Sequence, residues 1–229
     1  IMNFYVISLR NDRDRNAHIN TIKNNKLPEL NILNAIDGTN VDINFINFLL
    51  SKSVLTNRIT NKYSRGTIGC YLSHIKMWTT IRHKKLDNTV IFEDDFEINI
   101  DFKTKISNIL NELPPDYDIC YLFYHPFCYK YYKNFNKFEI TDKKHIRHFV
   151  PTWGLVGYML SYNGAVKLLK LCNKMTGPID NMVARNILLG KVKAFHSREL
   201  VVDTVGECLY KDKNLIRFKS NASGGGFFI

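Results

Sequence analysis

Glu93, Asp94 and Asp95 are the residues of this chain best suited to chemistry. They stand side by side, with Glu97 close behind, directly after the apolar run that opens TVIFEDDFE at 89–97. Adjacent carboxylates repel one another, and none belongs in a core unless positive charge sits against it. Hard divalent cations bind through oxygen ligands, so two carboxylates from one turn make a cradle for Mg²⁺ or Mn²⁺. Such an ion would relieve the repulsion and would also neutralise a diphosphate. The plainer alternative is a solvated strand end whose acids pair with nearby Lys and Arg, an arrangement that contributes little. The chain carries a formal net charge of +11, so this block runs against its surroundings.

The elements that must position these acids are legible in the hydrophobic pattern. Residues 3–9 read as a buried strand and 11–25 as a helix with Asn and Asp at its start. A short strand at 31–36 ends at the turn Asp37-Gly38, and a short apolar helix follows at 43–52. Over 67–84, Ile68, Tyr71, Leu72, Ile75, Trp78 and Ile81 recur at helical spacing, which predicts one buried face. The strand 89–92 carries the acids; a helix near 101–112 stops at Pro114-Pro115, and 118–123 and 156–161 read as further strands. Helices follow at 162–174 and, after Gly177-Pro178, at 179–190, with a late strand before His196. Strands that are apolar throughout and interleave with helices predict an α/β sandwich around a mostly parallel sheet. Ligands of such sheets sit at the carboxyl ends of the strands, where Glu93 to Asp95 fall.

With 229 residues, 45% hydrophobic and 13% aromatic, the chain has ample material for a core, and one domain over 1–219 with a flexible Gly-rich tail at 220–229 is expected. No apolar run approaches the roughly 18 residues of a membrane span. Residues 3–9 lack the basic leader of a signal peptide, so the cytoplasm is the default compartment, with the secretory-pathway lumen left open. The five cysteines include no CxxC pair, which suggests free thiols and neither a zinc site nor a disulfide framework. A pI near 9.4 attracts polyanions without choosing among nucleic acid, anionic membrane and phosphate-bearing substrates. The segment 124–150, with YKYYKNFNKF at its centre, is basic, aromatic and irregular.

Five blocks in order carry a resemblance to a known family: VISLRNDRDR at 6–15, AIDG at 35–38, GTIGCYLSHIKMW at 66–78, VIFEDDFEI at 90–98, and WGLVGYMLSYNGAVKLL at 153–169 with PID at 178–180. The chain resembles glycosyltransferase family 25, which includes lipooligosaccharide and procollagen galactosyltransferases. The resemblance implies a glycosyltransferase-A-type, Rossmann-like α/β fold and a metal-dependent, inverting transfer of a hexose (galactose or glucose) from a UDP-sugar. The acceptor would be a hydroxyl, on collagen-type (galactosyl)hydroxylysine or on a lipopolysaccharide-type glycan. In that reading Ser8, Leu9, Arg10 and Arg13 face the nucleotide, guanidinium groups gripping phosphate bidentately. Arg13 and Arg15 have a simpler alternative as a solvated helix face. Asp37 would accept hydrogen bonds from uracil or ribose, or merely make a turn. Ser73 and His74 would line the donor site, His74 bridging phosphate or orienting an acid, or else sit as a satisfied core histidine. Glu93 and Asp94 would contact the donor, Asp95 and Glu93 would ligate Mn²⁺ (or Mg²⁺), and His196 would supply a further metal ligand. Asp180 would act as the base, or would cap a helix.

Three alternatives share some of these features. A basic nucleic-acid-binding protein fits the charge and the aromatics, but no fold signature supports it and unmetallated acids would repel phosphate, so no nucleic-acid partner is expected. A metal-dependent nucleotidyl or phosphoryl transferase shares the carboxylates, and a scaffold that has lost activity is the third alternative.

Overall fold

The computed structural model describes residues 2–123, 143–148 and 154–205; the segment 124–142, most of the aromatic-basic stretch, and the tail 220–229 lie outside the described residues. In chain order the elements are β1 (Asn3–Ser8), α1 (Arg13–Asn25), β2 (Asn31–Asn34), α2 (Ile43–Ser51), α3 (Asn57–Lys62), α4 (Arg65–Lys84), β3 (Thr89–Glu93), β4 (Phe96–Ile98), α5 (Phe102–Glu112), β5 (Ile119–Tyr121), β6 (Ile146–His148), β7 (Gly157–Leu160), α6 (Tyr162–Leu171), α7 (Ile179–Leu188), β8 (Ala194–Ser197) and β9 (Val202–Thr204).

The helices begin where short polar side chains can accept the first unpaired backbone N–H groups. Asp12 accepts from the Arg15 amide, Ser64 from Thr67 and Ser161 from Gly164, opening α1, α4 and α6. At its other end α4 stops with Lys85 in the left-handed region, φ 51°.

Seven strands form one sheet in the order β2-β1-β3-β7-β5-β8-β6, and β4 pairs with β9 in a separate ribbon. Five of the seven run in one direction; β7 and β6 oppose their neighbours. The expectation of a mostly parallel sheet with helices on its faces therefore holds. β7 and β6 are the exceptions, and period and composition did not reveal the direction of β7, since a strand buried on both faces reads alike in either direction. Its reversal matters, because the start of β7 now lies at the same edge as the carboxyl end of β3.

Residues alternate between two cores. Tyr5, Ile7, Ile91, Tyr158, Ile119 and Tyr121 point to the side covered by α4, α6 and α7. Phe4, Val6, Val90, Phe92, Cys120 and Met159 point to the side covered by α1 and α5. This alternation is inherited by the acids that follow β3.

Two glycines fix α4 to the loop after β2. A Cβ on Gly38 would lie 1.7 Å from the Arg65 carbonyl oxygen, and one on Gly69 would lie 2.6 Å from the Gly38 nitrogen. Ser73 completes the joint: its hydroxyl accepts from the Ile36 amide at 2.8 Å and donates to the Gly69 carbonyl at 2.7 Å.

Candidate functional site

The three acids do not face one another. Strand alternation sends Glu93 toward α4 and Asp94 toward α1, while Asp95 sits in the turn before β4. Each has met a different fate.

Asp94 is buried and ion-paired with the Arg15 guanidinium, whose side chain is only 8% exposed. The Leu9 amide also donates to it. Burial pushes the Asp94 carboxyl above its usual range, and Arg15 opposes that push. Arg15 is thus no solvated face residue. It stands four and seven places before Ile19 and Ile22, the buried residues of α1, so the helical period already marked it as inward-facing.

Glu93 accepts from the ring of His74, Nε2 to Oε1 3.2 Å, and the His74 Nδ1 lies 3.0 Å from the Tyr158 hydroxyl. Trp78 Nε1–H donates to that same hydroxyl at 2.9 Å. An indole N–H can only donate, so the single phenolic proton is directed to His74 Nδ1 and the ring carries its own proton on Nε2, toward Glu93. The result is one buried chain, Trp78 to Tyr158 to His74 to Glu93. His74 is 1% exposed and Glu93 is the only open end, its side chain 30% exposed.

Asp95 has no such partner. Its Oδ1 is buried without a hydrogen bond. Burial, then Glu93 and Asp94, push its carboxyl up to about 6 against the pull of Arg15. An orphaned, buried carboxylate oxygen costs about 1–3 kcal/mol and calls for an explanation. A divalent cation supplies one: the donor set here is oxygen-rich and negatively charged, as Mn²⁺ or Mg²⁺ requires. The residues present fit that group.

Other expected site residues separate into two kinds. Arg10 and Arg13 are exposed at the exit of β1, free to meet a ligand at this edge. Asp180, in the first turn of α7, accepts from the Gly154 amide at 3.1 Å, just before β7, and from the Asn181 amide at 2.8 Å. It does not occupy the capping position, which is Pro178. Since the Glu93 amide donates to Val156 at 3.0 Å, Asp180 is tied to the same edge as Glu93.

The remaining ones are engaged internally. Ser8 is 1% exposed and its hydroxyl donates to Asn16 Oδ1 at 3.3 Å. Leu9 turns its carbonyl to the Asn16 side-chain amide at 3.1 Å. The Ser73 hydroxyl is fully used between Ile36 and Gly69. The Asp37 carboxylate caps its own turn, taking the Thr39 hydroxyl at 2.6 Å and amide at 2.9 Å, and the Thr39 hydroxyl holds its carboxyl below the usual range.

His196 is placed away from the acids. Register pairs it with Tyr121, Tyr121 with Tyr158 and Tyr158 with Ile91, so it lies level with a residue two places short of Glu93. Two strands intervene, and three spacings of ~4.8 Å put it about 14 Å from β3. It is 0% exposed, with its ring 4.9 Å from that of Tyr121. Register is not written in any local pattern, and only register separates it from Asp95. Among the described residues, the group close enough to share an ion is instead Cys70, His74 and Glu93, with ligand atoms within 4.8 Å of one another. Its cysteine carries no CxxC signature, since Cys70 and His74 stand one helical turn apart on α4.

A groove of about 580 Å³ opens at the opposite end of the sheet, between Lys167, Leu188, Lys193 and Phe195, and contains none of these acids. No described helix is long and apolar enough to cross a membrane.

Comparison with known proteins points the same way as the five sequence blocks. The family model described as "Glycosyltransferase family 25 (LPS biosynthesis protein)" matches residues 1–183. Procollagen galactosyltransferase 1-A of Xenopus laevis is 30% identical over 117 residues, 46% of this chain and 17% of that protein. A glycosyltransferase 25 family member of Drosophila pseudoobscura pseudoobscura is 31% identical over 144 residues, 59% of this chain and 22% of that protein. A Bos taurus protein named "Probable inactive glycosyltransferase 25 family member 3" is 29% identical over 112 residues, 46% of this chain and 18% of that protein. The aligned part spans about a fifth of the length of these relatives.

Proposed function

This chain belongs to glycosyltransferase family 25, and from that premise we propose that it transfers a hexose, galactose or glucose, from a UDP-sugar to a hydroxyl acceptor, with inversion and with a divalent cation. The observation that carries the metal-dependent part is the buried, unpartnered Oδ1 of Asp95 at the carboxyl edge of the sheet. Asp95 and Glu93 would hold the ion; Asp94, committed to Arg15, would keep the turn in place. Bound there, Mn²⁺ or Mg²⁺ supplies Lewis-acid stabilisation of the charge on the departing diphosphate.

The chain's own residues divide the remaining work. Arg10 and Arg13 project exposed guanidinium groups at the exit of β1, where they can take phosphate oxygens bidentately. The buried chain ending on Glu93 fixes that carboxylate's orientation. Asp180, held through Gly154 to the start of β7, is the base that takes the proton of the acceptor hydroxyl. The acceptor is of one of two kinds, in keeping with the names of the family and the relatives: a hydroxylysine-type side chain of a collagen-like protein, or a lipopolysaccharide-type glycan.

The test is UDP release by the purified chain with UDP-galactose and UDP-glucose, with Mn²⁺ and with EDTA, alongside Asp95→Ala. The expected result is slow hydrolysis of one donor, lost on chelation, with a drop of about 100-fold or more in Asp95→Ala, about 3 kcal/mol of transition-state stabilisation. Release of pyrophosphate in place of UDP would make it a nucleotidyl transferase. Neither UDP binding nor turnover, with collagen-type and glycan acceptors supplied, would favour the inactive scaffold. Undiminished turnover in Asp95→Ala would overturn the metal assignment.

A further inference from the structure

We propose that Cys70, His74 and Glu93 form a second cation site, selective for a borderline-soft divalent ion such as Zn²⁺, which shares the Glu93 carboxylate with the oxygen-only cradle at Asp95 but differs from it in ligand chemistry. Cys70 and His74 lie one turn apart on α4, so their side chains share a face. The end of β3 brings Glu93 onto that face, and the three ligand atoms lie within 4.8 Å of one another. An ion between them would replace the proton now shared by His74 Nε2 and Glu93 Oε1 across 3.2 Å.

The ligand chemistry selects the ion. Thiolate, imidazole and carboxylate together suit Zn²⁺, with three protein ligands and a fourth position for water, whereas Mn²⁺ favours oxygen. Charge also balances: a dication, one thiolate and one carboxylate sum to zero, which a partly buried site tolerates. On binding, the Cys70 thiol releases its proton to solvent and the imidazole binds neutral. The proton displaced from His74 Nε2 is taken up at Nδ1, where the N–H donates to the Tyr158 hydroxyl oxygen at 3.0 Å as the phenolic O–H turns away, the outer-shell contact typical of a metal-bound histidine. Access is open, since Cys70 is half-buried and the Glu93 side chain is 30% exposed.

The experiment titrates the full chain with Co²⁺ as a spectroscopic stand-in, then with Zn²⁺, in excess Mn²⁺. It reads binding and not transfer, so its outcome is separate from that of the proposed activity. One equivalent of Co²⁺ should give a thiolate-to-metal absorption band that Zn²⁺ abolishes and Mn²⁺ does not. Cys70→Ser should remove the band and weaken binding by well over about 100-fold, beyond the roughly 10–100-fold cost of losing an outer-shell partner. In the unaltered protein, one equivalent of Zn²⁺ should protect Cys70 from alkylation, read by peptide mass, which needs no variant to fold. Absence of the band, its persistence in Cys70→Ser, or alkylation of Cys70 indifferent to Zn²⁺ would each overturn the site.

Discussion

Arg15 and Asp94, 79 residues apart in sequence, close a buried ion pair between the first turn of α1 and the turn after β3. The pair explains how an acid can stand in the middle of an acidic block inside the fold. Both side chains are nearly enclosed, 8% and 11% exposed, so the charges screen each other and water does little. Removing one partner leaves the other buried and uncompensated. Arg15→Met should therefore cost about 3 kcal/mol, read as a lowered denaturant midpoint with an unchanged slope, and Arg15→Lys should recover only part of it. A loss under about 0.5 kcal/mol would mean the pair is no stronger than a surface contact.

Gly69 is where α4 touches the loop after β2. An added methyl would meet the Gly38 nitrogen and the Ile36 carbonyl oxygen, both at 2.6 Å and both backbone, so neither can swing away. Gly69→Ala should destabilise by about 3 kcal/mol or prevent folding, as overpacking against rigid atoms does. Gly190→Ala is the control: φ is +68° but nothing lies within 4 Å, so only the left-handed penalty of about 1–2 kcal/mol applies. Thermal melts of the two variants should rank in that order.

Tyr158 gives its hydroxyl to both Trp78 and His74. Tyr158→Phe leaves the indole N–H and the His74 Nδ1 buried with nothing between them. The expected loss is about 1–3 kcal/mol of stability. Because His74 is then free to change tautomer, Glu93 loses its fixed donor, and kcat for UDP release should fall more than KM rises. A purely structural role would lower the melting temperature and leave both kinetic constants alone.

Glu112 is a pH-dependent clamp far from the acids. Its carboxylate accepts from the amides of Lys144, His145 and Ile146 at 3.1, 2.7 and 3.2 Å, holding the chain that enters β6. Burial pushes its carboxyl up, but these amides, His145 first, outweigh it and the net shift is downward from 4.5. A depressed carboxyl stabilises the fold above its unfolded-state value and loses that contribution as pH falls through the folded one. Melting temperatures of the parent and Glu112→Gln should thus differ by a constant amount from pH 6 to 8 and converge below about pH 4.5. A gap that widens in acid would reverse the assignment.

Much of this was readable along the chain. Apolar runs, the helical period of residues 67–84 and capping residues such as Asp12 and Ser161 lie within a few residues of the structure they specify, so local physics suffices for them. The period even held the inward position of Arg15, though the charge invited a solvated reading. The acidic block at a strand's carboxyl end was likewise local.

Tertiary structure decided what each acid became. Strand alternation and the helices on the two faces sent Glu93 to His74 and Asp94 to Arg15, and left Asp95 with a bare oxygen. It also turned β7 around, which brought Gly154 and Asp180 to the edge of Glu93, and set His196 two strands beyond reach. Those outcomes depend on register and strand direction, which come from contacts between residues far apart in the chain. No short stretch of residues contains them.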